Sequence, residues 1–409
     1  MKLAGGMAGS IPLNEQPWIS APRNERVDTA LHPCYSLPTG PINNIRTIAF
    51  AATWRLGIRC LVEGSSMHDR TLPSRLTVGV CAYSFPCSCG FLRREDQAGP
   101  DAALDAWQLI DLAITHRLSS VETPLYGMLS ELSPDTLAQL RAKLAGANLT
   151  LVVDSGVVEV EALTTLLPLA AQAGAKTVRA TLSTILEGAR AEVPGGWDNY
   201  LSDVHQRISR IRPLLEAHDL VLALENHQDA TSDDLLALCE AGGGRVGVTF
   251  DVANPLAVAE EPLLFAQKLG GHIHNVHLKD YRIYPTPSGY RLVRCALGEG
   301  VVPFAELLPL LARIAPHATL HIELAAQHAR HIRLLEDAWW AGFPPRDVRA
   351  VLPVLRLRHD QARPHDEPWQ TPWECAAPTP DVVLHEHEQF ERSVHFLRSL
   401  GGSNVELSA

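Results

Sequence analysis

Three short apolar segments of the sequence each end near a residue that can bind a metal ion. The segments VLALEN, VGVTFDVAN and IHNVHLKD carry Glu225, Asp251 and His277 at these points. A strand buried on both faces of a parallel sheet reads as continuous Val, Leu and Ile, so a carboxylate or an imidazole at its end needs an explanation. A fourth segment, TLHIEL, carries Glu323 in the same position. Four chain-distant residues at strand ends predict one shared site.

The chemistry of this set is that of a divalent metal centre. Three carboxylates and one imidazole are mostly hard, oxygen-rich ligands, which suit Mn²⁺, Mg²⁺ or Co²⁺ better than Cu(I) or an iron–sulfur cluster. We expect a divalent cation, Mn²⁺ first, with Mg²⁺, Co²⁺ or Zn²⁺ as alternatives. Each residue alone has an ordinary explanation, because an acid at a strand end can cap a helix or pair with Lys or Arg. The four together favour metal binding.

The elements that must position these residues alternate between apolar strands and amphipathic helices from about Leu76 onward. Eight strand–helix units with short connections predict an α/β fold, a (β/α)₈ TIM barrel, whose active sites lie at the carboxyl ends of the strands. The alternative is an open doubly wound sheet, which normally has a Gly-rich loop after its first strand. Pro86, Cys87 and Ser88 stand there instead, without a GxGxxG motif. The predicted strands are TVGVCAYSF, SSVETPLY, LTLVVDSG, TVRATLS, LVLALEN, VGVTFDVA, IHNVHLKD and TLHIELA.

The predicted barrel domain covers residues 71–409 and has extensions at both ends. Residues 1–70 are rich in Pro, Gly and Asn and lack a sustained period, which predicts an irregular N-terminal extension. Met67 leaves open that translation starts there and that residues 1–66 are not part of the native protein. Residues 325–380 contain several Trp and Pro and follow the eighth strand, a position over the active face, so we expect a lid-like insertion. Residues 381–400 predict a closing helix.

The composition of the chain indicates which classes of binding partner and which cellular compartment to expect. The net charge of -11 argues against binding to a phosphate backbone, because nucleic-acid binders usually carry a basic face. The eight Cys have irregular spacing, and the N-terminus lacks the apolar core of a signal peptide. The apolar stretch 45–62 is interrupted by three Arg, which makes it a poor membrane span. We therefore expect a cytoplasmic enzyme with reduced thiols and no membrane partner.

From Leu76 to Leu324 the chain resembles the xylose isomerase-like superfamily of sugar isomerases and epimerases. The residues that carry the resemblance are the acid of LEN, the acid of FDVAN, the His of VHLKD, the acid of HIEL and the motif GEGVVPF at 298–304. The resemblance implies metal ligation by Glu225, Asp251, His277 and Glu323. It also implies that Glu225 and Glu323 act as acid/base groups on opposite faces of a substrate.

Two details of the sequence bear on the reaction. Ketose 3-epimerases of this superfamily often have a His three residues after the Asp of the sixth strand, whereas this chain has Asn254, which speaks against epimerisation at C3. Residues 222–294 and the segment HARHIRLLEDAWWAGFPPR are also similar to the 3-oxo-isoapionate decarboxylases, which share the fold. The reaction type therefore stays open at this point.

The leading hypothesis from the resemblance is a metal-dependent isomerase or epimerase of a sugar or sugar phosphate. The ion would bind the carbonyl and the adjacent hydroxyl of an α-hydroxyketone and stabilise an enediolate. The alternative is a metal-dependent lyase on a sugar acid, either a 3-oxo-isoapionate-type decarboxylase or an inosose-type dehydratase. Less favoured are an apurinic endonuclease-like repair enzyme, which the acidic balance opposes, and a non-catalytic barrel. We expect a small-molecule carbohydrate or sugar-acid partner and leave a homo-oligomer open.

Weaker candidates for substrate contact lie in strands and loops near the predicted ligands. They are Glu122, His227, Asn254, Lys279, Arg282, Arg330 and His331. Glu122 matches a family position at the barrel mouth, with an ordinary salt bridge as the alternative. His227 and Lys279 could orient a ligating group, as metal ligands usually require. An Arg offers a planar fork for a carboxylate or phosphate, but a solvated loop charge is the simpler explanation.

Overall fold

Eight parallel strands of the chain close into a barrel. The computed structural model describes residues 76–95, 97, 99–100, 103–325, 328–400 and 405–406, so the predicted extension over residues 1–70 lies outside the described residues. The barrel strands are β1 (Leu76–Cys81), β2 (Ser120–Pro124), β3 (Thr150–Val157), β4 (Thr177–Thr181), β5 (Val221–Glu225), β6 (Val246–Asp251), β7 (Ile273–Leu278) and, after two intervening strands, β10 (Thr319–Ile322). Strand β10 pairs with both β7 and β1. The (β/α)₈ prediction is confirmed, and the open sheet was wrong.

Helices follow the barrel strands in the predicted alternation, and two more lie in the segment after the eighth barrel strand. They are α1 (Ala106–Thr115), α2 (Pro134–Gly146), α3 (Val160–Ala173), α4 (Trp197–Ala217), α5 (Ser232–Gly242), α6 (Pro262–Leu269), α7 (Phe304–Ile314), α8 (Asp337–Trp340), α9 (Val348–Gln361) and α10 (Thr379–Ser399). Sequence signals explain where several of these helices begin or end. The Ser133 hydroxyl caps α2 with Pro134 in its first turn, and Gly174, at φ 92°, ends α3. Among the described residues, no helix is both long and apolar enough to cross a membrane.

The core lies between the sheet and this helical layer. Strand β6 is buried along its whole length, and the Phe250 ring stacks on Phe265 of α6 at a centroid distance of 5.6 Å. Burial of a side chain of this size stabilises the fold by about 1.5–3 kcal/mol. The continuous apolar runs of the sequence therefore reflect strands that are covered on both faces.

A small antiparallel sheet follows β7 and was not predicted from the sequence. It consists of β8 (Asp280–Thr286), β9 (Gly289–Cys295) and β11 (Arg330–Ile332), with β9 in the middle. The register pairs Tyr281 with Arg294, and Arg330 with Leu292. The chain therefore returns to the hairpin after Glu323, so the segment behind the eighth strand is tied to the loop after the seventh. Strand β12 (Val405–Glu406) pairs with β1.

The last helix, α10, packs against the loop after β1. The buried Glu386 carboxylate accepts hydrogen bonds from the backbone N–H groups of Cys87, at 2.8 Å, and Ser88, at 3.0 Å. The Phe390 ring lies 5.1 Å from that of Phe85. The segment for which the sequence predicted a closing helix is thus attached to the carboxyl end of the first strand.

The GEGVVPF segment is held by one buried carboxylate, that of Asp280. It accepts backbone N–H bonds from Tyr281 (2.9 Å), Gly298 (3.0 Å), Gly300 (2.9 Å) and Val302 (3.0 Å). A Cβ on Gly300 would lie 2.2 Å from an Asp280 oxygen, so only glycine fits this approach. The GEGVVPF motif therefore forms a loop around the carboxylate of Asp280, the first residue of the strand that follows β7.

We predict that Asp280→Asn destabilises the protein. An amide offers one oxygen and places an N–H group against backbone donors, so about 1–3 kcal/mol of unfolding free energy should be lost. Urea unfolding measures this, with Asp366→Asn, a change of an exposed carboxylate, as the control. An Asp280→Asn protein that unfolds within about 0.5 kcal/mol of the wild type would contradict this function of Asp280.

Candidate metal centre

The four predicted ligands converge at the carboxyl end of the barrel. Glu225 ends β5, Asp251 ends β6, His277 lies at the end of β7, and Glu323 directly follows β10. Their side chains are buried, with exposed fractions of 1%, 0%, 0% and 4%. Potential ligand atoms of Glu225, Asp251 and His277 lie within 4.8 Å of one another. Neighbouring parallel strands bring their ends together, which is why residues about 100 positions apart meet here.

Glu323 joins this group through His277 and Lys279. The Nδ1 atom of His277 lies 3.4 Å from Oε1 of Glu225 and 4.0 Å from Oε2 of Glu323. The Lys279 ammonium lies 2.5 Å from Oδ2 of Asp251 and also contacts Oε2 of Glu323. Lys279 thus lies between two of the predicted ligands.

The other ring nitrogen of His277 is fixed by Glu122. Nε2 lies 2.6 Å from Oε1 of Glu122, and since an ionised carboxylate only accepts, Nε2 carries the proton. Asn275 donates to the second Glu122 oxygen at 2.8 Å, and His321 Nδ1 lies 3.1 Å from it. A carboxylate behind a histidine in this way sets the tautomer and the orientation of the metal-facing nitrogen. We predicted substrate contact for Glu122 at the mouth; instead it is fully buried beneath His277.

Asp251 is held by two asparagines. The Asn226 amide accepts from the Asp251 backbone N–H at 2.7 Å and donates to its carbonyl at 2.9 Å. The Asn254 side chain donates to Oδ2 of Asp251 at 2.8 Å, and its own oxygen accepts from the Tyr281 hydroxyl at 3.0 Å. Asn254, a candidate for substrate contact, is thus engaged in orienting Asp251.

Arg179 and Asp154 belong to the cluster, and sequence reasoning missed both. Arg179 lies in the middle of β4, where its guanidinium contacts Glu225 and lies 3.7 Å from Oδ1 of Asp154. Both side chains are buried, with 5% and 3% of their surface exposed. A charged residue inside an otherwise apolar strand, as in TVRATLS and LTLVVDSG, was the available signal.

Negative charge exceeds positive charge in this cluster. Five carboxylates are buried here, on Glu122, Asp154, Glu225, Asp251 and Glu323, against the two permanent cations Arg179 and Lys279. Burial raises the pKa of Asp251, and burial together with Glu122 raises that of Asp154 well above its ordinary value. For Glu225 burial acts in the same direction, but Arg179 and His277 outweigh it and hold its pKa below the ordinary value. Buried charge without compensation is costly, so the cluster favours an additional cation.

The residues present fit a divalent metal ion. Oε2 of Glu225, Nδ1 of His277 and Oε2 of Glu323 are buried and make no hydrogen bond, although the two carboxylates contact cationic side chains. The donor set of three carboxylates and one imidazole is the kind that Mn²⁺, Mg²⁺, Co²⁺ or Zn²⁺ binds. A second group, formed with Cys81, Glu122 and His277, is less suitable because Glu122 and His277 are already hydrogen-bonded to each other.

Of the remaining predicted residues, His227 lies near the centre, whereas Arg282 and His331 do not. Nδ1 of His227 is buried without a partner near the centre, and burial, more than the neighbouring charges, lowers the pKa of His227 to about 3. The structure does not bring Arg282 or His331 to the cluster. Arg282 pairs with Glu299 at 2.5 Å, and Nε2 of His331 lies 2.8 Å from the Ser288 hydroxyl. Arg330 lies on the opposite face of the small sheet from these two.

A comparison with protein families agrees with this geometry. The model of the family described as xylose isomerase-like TIM barrel matches residues 117–341, which is more than half of the chain of 409 residues. The chain belongs to the xylose isomerase-like TIM barrel family. The matched region contains all four predicted ligands of the metal centre, so the resemblance seen in the sequence motifs is confirmed for the family.

Individual relatives are more distant. An uncharacterized protein, YihM, from Escherichia coli (strain K12) is 30% identical over 115 residues, which are 28% of this chain and 35% of the relative. An L-ribulose 3-epimerase structure is 14% identical with a TM-score of 0.47, covering 79% of this chain and 96% of the other. A xylose isomerase-like TIM barrel protein from Mycobacterium smegmatis in complex with magnesium is 18% identical with a TM-score of 0.44, covering 69% and 96%. Similarity at this level says nothing about the substrate of this chain.

We predict that Glu122→Gln weakens metal binding without unfolding the barrel. Loss of the charged acceptor behind His277 should lower the affinity for Mn²⁺ by about 10–100-fold. Calorimetric titration of the metal-free protein with MnCl₂ measures this, and the ¹⁵N shifts of the His277 ring report whether its tautomer changes.

The matched control is Glu386→Gln, which removes another buried carboxylate far along the chain, on α10. We expect this variant to lose thermal stability but to retain its affinity for Mn²⁺. Equal affinities in the wild type and in Glu122→Gln would show that Glu122 has no positioning function.

Proposed function

We propose that the protein is a divalent-metal-dependent enzyme that acts on a small sugar or sugar phosphate as an isomerase or epimerase. The observation that carries this proposal is the convergence of Glu225, Asp251, His277 and Glu323 in a buried cluster with excess negative charge. Family membership supports the same assignment. Mn²⁺ is the ion we propose first, with Mg²⁺, Co²⁺ or Zn²⁺ as alternatives. The substrate is a small carbohydrate rather than a nucleic acid, and we propose a cytoplasmic location.

A divalent ion held by Glu225, Asp251, His277 and Glu323 would supply a Lewis acid for the carbonyl and hydroxyl of an α-hydroxyketone. The protein supplies the groups that move protons. In the barrel order β5, β6, β7, β10, Glu225 and Glu323 come from the two ends of this arc, with Asp251 and His277 between them. A substrate above the centre would therefore meet one glutamate on each side. One carboxylate can take a proton while the other returns one.

Other residues orient these groups and exclude water. Lys279 donates to Asp251 and forms an ion pair with Glu323, so it holds the Glu323 carboxylate on the side of the metal centre. We also propose that residues 325–380 of the barrel domain, 71–409, cover the mouth. In support, the Trp339 indole donates to the Glu187 carbonyl at 2.8 Å and so fastens this segment to the loop after β4. A dry site strengthens electrostatic interactions and limits unwanted protonation.

The second candidate is a lyase that acts on a sugar acid. Decarboxylation of a suitable keto acid also gives an enediolate, so the same centre would serve both reactions. The observation that favours it is that Arg294 and Arg330 share a face of the small sheet with Tyr281, which is hydrogen-bonded through Asn254 to Asp251. The positive charge would suit an acidic substrate.

We expect an NMR screen in D₂O to separate the two candidates. Wild-type protein with Mn²⁺ is incubated with sugars, sugar phosphates and sugar acids, and Asp251→Ala serves as the inactive control because it should lose the ion but keep its fold. Deuterium incorporation without loss of carbon identifies an isomerase or epimerase, whereas release of CO₂ identifies a decarboxylase. Full metal content and turnover in Asp251→Ala would contradict the proposed centre.

We further predict that Glu225→Gln and Glu323→Gln separate catalysis from metal binding. Gln keeps the shape and one oxygen donor but removes the titrating carboxylate. If the residue moves a proton, kcat should fall by about 10²–10⁴-fold while most of the bound Mn²⁺ is retained. Metal analysis alongside kinetics tests this, and parallel loss of metal and kcat would limit that glutamate to ligation.

A further inference from the structure

Two arginines of the small sheet share one face. Arg294 pairs with Tyr281 across β8 and β9, and Arg330 of β11 pairs with Leu292. Directly paired residues of antiparallel strands point to the same side, and so do residues two positions apart on one strand. Arg294, Arg330 and Tyr281 therefore lie on one face, while Arg282 and Arg291 lie on the other.

This face points toward the candidate metal centre. The Tyr281 hydroxyl donates to Oδ1 of Asn254 at 3.0 Å, and the same Asn254 side chain donates to Asp251 at 2.8 Å. Further along the face, the Tyr290 hydroxyl donates to the Leu256 carbonyl at 2.5 Å. The sheet is thus fixed to the loop after β6, and Arg294 is linked to the predicted metal ligand Asp251 through Tyr281 and Asn254.

Arg294 is buried and Arg330 is half-buried, and both guanidinium groups are poorly satisfied. Arg294 has 6% of its surface exposed, lies over the Tyr281 ring at 5.9 Å, and donates from Nη1 to the His328 carbonyl at 2.8 Å. The Nε atoms of Arg294 and Arg330 are both buried without a hydrogen-bond partner. Within the described part of the chain, neither arginine forms an ion pair with a carboxylate. Buried donors of this kind are costly, so an acceptor is expected.

The two acids whose charges act on Arg330 accept hydrogen bonds from the backbone. Glu187 accepts from the His331 backbone N–H at 3.0 Å, and Glu374 accepts from that of Ala329 at 2.7 Å. Burial, followed by the charge of Arg294, lowers the pKa of Arg330 to about 10, which leaves it protonated at neutral pH. Neither guanidinium therefore has a carboxylate in salt-bridge contact, although both lie on the face of the sheet that is linked to the candidate metal centre.

We propose that Arg294 and Arg330 form a subsite for an oxyanion group of the substrate, a carboxylate or a phosphate. A guanidinium binds such groups through two parallel N–H bonds, and two of them on one face can hold both oxygens of an anion. This inference rests on the proposed function and narrows it, because it makes the substrate an acidic sugar derivative. The anion binds at the small sheet, and the polyol part extends toward Asp251.

Calorimetry with three probes of the same carbon skeleton tests the subsite. The Mn²⁺-loaded protein is titrated with erythronate, erythritol 4-phosphate and neutral erythritol. At least one anionic probe should bind about ten-fold or more tightly than erythritol, as expected for charged hydrogen bonds in a buried site. The anion that binds more tightly shows whether the subsite is specific for a carboxylate or for a phosphate. Equal affinity for all three probes would overturn the proposal.

Variants then identify the residues that cause the preference for an anion. Arg294→Gln and Arg330→Gln should each reduce the preference for the anion by about ten-fold and keep their Mn²⁺ content. Arg291→Gln is the matched control, since Arg291 lies on the opposite face of the same strand and stacks on Trp369 at 3.9 Å. The proposal is wrong if the two variants retain the wild-type preference, or if the Arg291 variant loses it equally.

A measurement on the wild type alone covers the case in which a variant does not fold. Inorganic phosphate should compete with erythronate or erythritol 4-phosphate but leave erythritol binding unchanged. Absence of such competition overturns the subsite. The same titrations on metal-free protein separate the two proposals, because an anion preference that persists without Mn²⁺ binding would support the arginine subsite even if the metal centre is wrong.

Discussion

Five buried carboxylates cluster around His277 at the carboxyl end of this barrel, and among the described residues two permanent cations, Arg179 and Lys279, are in contact with them. In a medium of low polarity, each unpaired carboxylate must be neutralised by an ion pair, a proton or a metal. Arg179 pairs with Glu225 and Asp154, and Lys279 pairs with Asp251 and Glu323. Negative charge remains after these ion pairs are counted, and a divalent cation is the simplest group that would neutralise it. A set of unrelated salt bridges would have no reason to leave such an excess in one place.

The rest of the structure serves to hold these charges in place. Glu122 fixes the His277 ring from below, and Asn226 with Asn254 fixes Asp251 from its backbone and its side chain. Outside this layer, the Asp280 carboxylate accepts hydrogen bonds from the backbone of the 298–302 loop and so fixes this loop close to the end of β7. Side chains that are oriented by a second layer of hydrogen bonds lose little entropy when they bind an ion. The same rigidity would keep Glu225 and Glu323 within reach of a substrate proton.

The sequence was most informative where burial leaves a clear pattern. Strands covered on both faces have continuous apolar sequences, so a carboxylate or imidazole at a strand end was recognisable, and the predicted barrel brought all four candidate ligands together. Glu122 was harder, because its partner His277 is 155 positions away and no local signal connects them. The hairpin from Asp280 to Cys295 was missed although YRIY and YRLV flank the turn-forming PTPSG. Without its register, the faces of Arg282, His331 and Arg330 could not be distinguished, since neighbouring strand residues point to opposite sides.

The most direct test of the metal centre is a crystal structure of the protein soaked in MnCl₂, with an anomalous difference map collected near the manganese edge. The account predicts one strong peak bounded by Glu225, Asp251, His277 and Glu323, with the Lys279 ammonium moved away from the two carboxylates that it contacts. A map with no peak among these four residues, or a peak at Cys81 and Glu122 instead, would contradict it.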